Sequence, residues 1–141
     1  MNTRQRAAAG LLGAALLLVL SACATTGSKL DGFWECVTPA PATPDTRAVK
    51  ILADGHFAFG RQSADGATAY TGGGTCRLDG EQYIETVAWH WAPALVGQTI
   101  VFGCALKDGL WYHRAEFEVQ GERFDINEVW RRVREPTPAG E

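Results

Sequence analysis

Residues that usually carry chemistry are scarce in this chain of 141: three His, four Cys and one Met. No Cys-x-x-Cys or His-x-x-x-His spacing joins them, so no metal centre is expected. No Ser or Cys nucleophile elbow is recognisable, which leaves no candidate catalytic nucleophile. Gly72-Gly73-Gly74 lacks the Lys-Ser/Thr ending and following helix of a phosphate loop. Three glycines inside a strand instead suggest a bend or a close backbone approach. Basic residues do not exceed acidic ones, 13 against 16, so nothing points to a nucleic-acid partner. No segment has a convincing helical period. No apolar run reaches the ~20 residues of a membrane-spanning helix.

Acids and aromatics are both absent from Met1–Ala22, which carries Arg4 and Arg6 ahead of the apolar run Ala7–Leu20. A basic start, a short apolar run and small residues after it make a secretory signal. Without residues 1–22 the chain has 11 basic and 16 acidic groups, a charge of −5. Leu20-Ser21-Ala22-Cys23 resembles the bacterial lipobox, which implies cleavage before Cys23 and diacylglycerol on its thiol. Several acyl chains would anchor the protein stably to a membrane. By the same resemblance, Ala24 in place of Asp favours the outer membrane of the cell envelope, facing the periplasm. Residues 23–30 then form the lipidated Cys and a short tether, 31–134 one domain, and 135–141 a disordered tail.

Inside the domain, turn signals recur at Asp54-Gly55, Asp65-Gly66, Asp79-Gly80, Asp108-Gly109 and Gln120-Gly121. Gly supplies the positive φ that tight hairpins need. The runs between are rich in β-branched and aromatic residues and predict eight strands. These are Gly32–Val37, Ala48–Leu52, His56–Gln62, Thr68–Leu78, Gln82–Trp91, Thr99–Lys107, Leu110–Val119 and Arg123–Arg134. Eight sequential antiparallel strands predict an all-β, up-and-down barrel, which can hold side chains or one small ligand.

Gly32-Phe33-Trp34 in the first strand and Trp130-Arg131-Arg132 in the last resemble the lipocalin (calycin) barrels. Gly72-Gly73-Gly74-Thr75, Leu78-Asp79-Gly80, Leu95-Val96-Gly97, Trp111-Tyr112-His113 and Glu128-Val129-Trp130 are similar to the bacterial lipocalin-like domain proteins. The resemblance implies that Trp34 packs beneath Arg132 and closes one barrel end. It assigns no activity, and no cofactor is implied.

Strand residues alternate between faces. Alternation places Val49, Ile51, Phe57, Phe59, Tyr83, Trp89, Trp91, Trp111 and Trp130 inside, and Lys50 outside. Four polar groups also fall inside: Glu85, His113, Glu128 and Arg132. Buried charges must be paired or hydrogen-bonded, and Arg132 suits a carboxylate. The candidate ligand-binding set is Phe57, Phe59, Tyr83, Glu85, Trp89, Trp111, His113, Glu128, Trp130 and Arg132. The expected function is binding of a small hydrophobic or amphipathic molecule by a monomer. Two alternatives stay open: a small barrel enzyme using Glu85 and His113 as an acid–base pair, and a solid-core interaction module. Among the thiols, Cys76 and Cys104 face inward near turns at one end and form a possible disulfide, with Cys36 free.

Overall fold

The computed structural model describes residues 27–40, 46–67 and 69–133. The signal, Cys23 and the 135–141 tail lie outside the described residues. The strands are β1 (Gly32–Thr38), β2 (Ala48–Ala53), β3 (His56–Gln62), β4 (Ala69–Asp79), β5 (Gln82–His90), β6 (Thr99–Lys107), β7 (Leu110–Val119) and β8 (Glu122–Arg132). Each pairs antiparallel with the next, and β8 returns to pair with β1, closing the barrel. The up-and-down topology is the expected one, and strand ends agree within two residues.

The turn chemistry explains that agreement. Asp54-Gly55, Asp108-Gly109 and Gln120-Gly121 take positive φ at both residues, the type I′ pattern that follows the strand twist. Gly80 has φ 60° ahead of Glu81, with Asp79 paired to Gln82.

The two barrel ends differ. At one lie the tight turns after β2, β4 and β6, the start of β1 and the end of β8. At the other lie the longer connections after β1, β3 and β5 and the tight Gln120-Gly121 turn after β7. The tight-turn end is filled by Leu30, Trp34, Leu52, Tyr83 and Trp111, all essentially inaccessible. Trp34 meets Trp111 edge to face at 5.4 Å. Its Nε1 donates to the Leu30 carbonyl at 2.8 Å. Arg132 lies over the Trp34 ring at 4.4 Å and donates to the carbonyls of Lys29 and Asp31. A Cβ on Gly32 would approach Arg132 Nη1 to 2.6 Å, and its φ of 136° also disfavours a side chain. The Gly of Gly-x-Trp is therefore needed for the guanidinium to reach those carbonyls.

Two expected facings are corrected. In β2, Ala48, Lys50 and Leu52 point inward, while Ile51 is 48% exposed. Both faces of this strand are mostly apolar, so pattern alone could not orient it. Register does, by pairing Lys50 with Trp34 on one side and Phe59 on the other.

The other correction is in β5. Gly73 pairs with Trp89 but Gly74 with Val87, so Ala88 is an extra residue, a β-bulge. Up to Val87 the expected facing holds; over Trp89 and His90 the faces exchange, and Trp91, just past the strand end, still reaches the cavity mouth. Trp89 lies outside, 49% exposed, against Gly73, where a Cβ would come within 2.6 Å of the indole. On the inside, a Cβ on Gly72 would collide with Phe59 and come within 2.6 Å of His90. At Gly74 it would strike the Thr86 carbonyl in the bulged strand. The glycine run mediates close approach on both faces of the wall.

Candidate functional site

Above the packed end is a cavity of about 320 Å³. Its walls include Phe57 and Phe59 from β3, Ile100 and Phe102 from β6, and Trp130 from β8. Tyr70, Trp91, Phe117 and Phe124 surround its mouth at the loop end, with Leu95 from the short 3-10 turn Pro93–Leu95. Such a volume, largely apolar with a few convergent polar groups, matches ordinary small-molecule sites.

Four polar side chains converge deeper in, Lys50, Glu85, His113 and Glu128, and Arg61 reaches Glu128 from the level of Tyr70, with its own side chain partly exposed. Lys50, only 4% exposed, donates to Glu85 Oε1 at 2.9 Å. Six aromatic ring centroids lie 5.4–6.0 Å from its ammonium, those of Phe57, Phe59, Tyr83, Phe102, Trp111 and Trp130. Ring faces attract a cation at such distances and partly offset its lost hydration. The Glu85 carboxylate supplies the counter-charge that a buried ammonium needs.

Glu128 gathers the second cluster. Arg61 Nη2 donates to its Oε1 at 3.0 Å, and Trp130 Nε1 to its Oε2 at 3.1 Å. His113 Nδ1 faces the same Oε2 at 3.4 Å, from the directly opposed position on β7. Burial raises the Glu128 pKa, but the His113 hydrogen bond and the Lys50 and Arg61 charges outweigh it and hold the carboxyl below its ordinary value. Burial, aided by Lys50, pushes His113 down to about 4 against the pull of the carboxylates. His113 is therefore neutral at pH 7. An ionised carboxylate only accepts, so Nδ1 carries the imidazole proton and Nε2 presents a lone pair. That Nε2 is buried without a hydrogen-bond partner, as is the Tyr83 hydroxyl. Burial, with Glu85 nearby, raises the phenol pKa and keeps it neutral.

Of the residues expected to bind ligand, Phe57, Phe59, Glu85, His113, Glu128 and Trp130 line the cavity. Tyr83 and Trp111 are packed in the buried aromatic layer of the closed end. Trp89 is on the outer surface because of the bulge. Arg132 is not the partner of an interior acid: the long last strand carries it past the cavity to the outside of the Trp34 plug. The Glu–Arg pair exists, but its cation is Arg61. Glu85 and His113 do not bond to each other; each has a different partner.

Lys50, Arg61 and His90 were missed. Alternation from Phe57 and Phe59 would have reached Arg61. His90 needed the bulge, and Lys50 needed a partner 35 residues away.

The disulfide is corrected as well: Cys36, Cys76 and Cys104 are free thiols. Cys76 pairs with Glu85 on β5, whereas Cys104 donates its amide to the Glu81 carbonyl. Four residues, from Glu81 just before β5 to Glu85 within it, separate those heights, roughly 13 Å at strand rise. The barrel's stagger thus removes the similar height on which the bridge depended. Among the described residues, no cluster of His, Cys, Asp and Glu could hold a metal ion.

Fold and cavity define a small closed antiparallel barrel with an interior polar-floored site. No protein-family model matches the chain, and no curated protein matches it.

Proposed function

We propose that this is a lipid-anchored envelope protein whose lipocalin-like barrel binds a small hydrophobic or amphipathic molecule. The observation carrying the reading is the aromatic cavity of about 320 Å³ with its polar floor. A solid-core interaction module would fill that space with side chains. The lipocalin resemblance gains support from Arg132 stacked on Trp34 at the end of a closed eight-stranded barrel. Anchoring rests on the Leu20-Ser21-Ala22-Cys23 pattern alone, and it would keep the barrel close to a bilayer.

Native mass spectrometry of the protein purified from its own host tests the binding reading. A co-purifying small-molecule mass, lost when the protein is unfolded, is the expected result. A bare protein mass that also fails to shift with added apolar ligands overturns it. Separately, Cys23→Ser should release the protein from membrane fractions; unchanged fractionation would remove the anchor from the proposal.

A further inference from the structure

The charges on the cavity floor are already balanced. Lys50 is matched by Glu85 at 2.9 Å and Arg61 by Glu128 at 3.0 Å. His113 between them adds no charge at pH 7, since burial holds its pKa near 4. A ligand carrying a net charge would bring an unmatched ion into a largely aromatic space, where desolvation is costly.

Hydrogen-bonding capacity is not exhausted in the same way. Glu128 accepts through both oxygens, from Arg61, Trp130 and His113. The other pair is less saturated. The Lys50 ammonium has three N–H donors and makes one hydrogen bond. Among the described residues Glu85 accepts that one hydrogen bond, at Oε1, with the Tyr83 hydroxyl close to the same carboxylate. Beside them, His113 Nε2 is a buried acceptor with no partner. The site therefore offers spare donors and spare acceptors together. A carboxylate can only accept, so it would satisfy Lys50 and repel Glu85. An alkylammonium can only donate, so it would satisfy Glu85 and repel Lys50. A hydroxyl or primary amide does both without charge.

Size adds a second limit. At about 30 Å³ for each water-sized unit, 320 Å³ encloses roughly ten non-hydrogen atoms. A longer chain would protrude from the mouth at the loop end, past the Tyr70–Trp91 ring pair.

Resting on the binding function proposed above, we infer that the ligand is a neutral amphiphile of about ten non-hydrogen atoms whose hydroxyl or amide head lies against the Lys50–Glu85 pair, with its chain along Phe57, Phe59 and Phe102. Isothermal titration of the full chain at pH 7 with decanol, decanamide, decanoate and decylammonium tests this. Decanol and decanamide should each bind at least tenfold more tightly than either charged probe. Decanoate or decylammonium binding as tightly as the neutral pair would overturn the head-group assignment and leave the binding function standing. If none of the four binds, the binding function falls and this inference falls with it.

Discussion

The two ends of this barrel use aromatic residues in opposite ways. At the tight-turn end, Trp34, Tyr83 and Trp111 interlock edge to face and leave no room, with Arg132 sealing Trp34 from outside. At the loop end, Phe59, Phe117, Phe124 and Trp91 line open space. Strand length and turn type produce the difference. Two-residue turns bring strands together directly and leave a small opening that one indole can plug. At the other mouth only the turn after β7 is that tight, and the three longer connections hold the remaining strands apart. One end therefore stabilises the fold, while the other is free to admit a ligand.

The contrast is broken most severely at the plug. Trp34→Ala should remove the edge-to-face contact with Trp111, the bond to Leu30 and the surface under Arg132, leaving a sealed void. Replacing a fully buried Trp by Ala costs about 4 kcal/mol. Urea denaturation should show a loss of that size. A loss below about 1 kcal/mol would mean that the closed end does not hold the barrel together.

Acid probes the cavity floor. With its pKa at about 4 in the folded chain, His113 refuses a proton that the unfolded chain accepts near 6.5. Stability should therefore fall as pH drops from 6.5 to 4, by about 3 kcal/mol for that group. Glu128, held below its ordinary pKa, adds a loss of the same sign at lower pH, as its folded carboxyl protonates. His90, also lowered by burial, contributes in the same direction as His113. His113→Gln should flatten much of the slope between pH 6.5 and 4 in denaturant titrations. An unchanged slope would place the acid sensitivity elsewhere.

The same two regions show what could be read from the chain. Strands and turns were legible because each Asp-Gly or Gln-Gly pair states its own backbone requirement locally, and β-branched runs between them alternate. Most of the floor followed from alternation too, since Glu85, His113 and Glu128 lie on strands whose apolar set is unambiguous. Where legibility failed, the cause was non-local. Lys50 is inside because Glu85 and six rings await it there, and only Phe57 and Phe59 among them are near it in sequence. Trp89 is outside because one extra residue in β5 reverses the facing. The only trace of that reversal was the glycine run opposite, which had signalled close approach without saying to what. Arg132 does lie over Trp34, as the resemblance implied, but alternation also counted it among the interior polar groups, because pattern gives a strand's faces but not where the barrel ends along it. The Cys76–Cys104 pairing failed for the related reason that stagger is invisible in a single chain.

The gentlest test of the contrast lies at the mouth. Phe124 is half-buried and stacks on Phe117 at 5.1 Å with rings nearly parallel. Its removal differs physically from that of Trp34. The vacated space joins an existing cavity open to the loop end, so no sealed void forms and the cavity part of a core truncation is absent. What is lost is the transfer energy of a partly exposed ring and one stacking contact, about 1 kcal/mol in all. Phe124→Ala should therefore shift the urea midpoint only slightly while widening the cavity mouth, which would show as faster release of any bound apolar probe. A stability loss matching that of Trp34→Ala would mean that the mouth is packed as tightly as the plug, and the division of labour between the two ends would not hold.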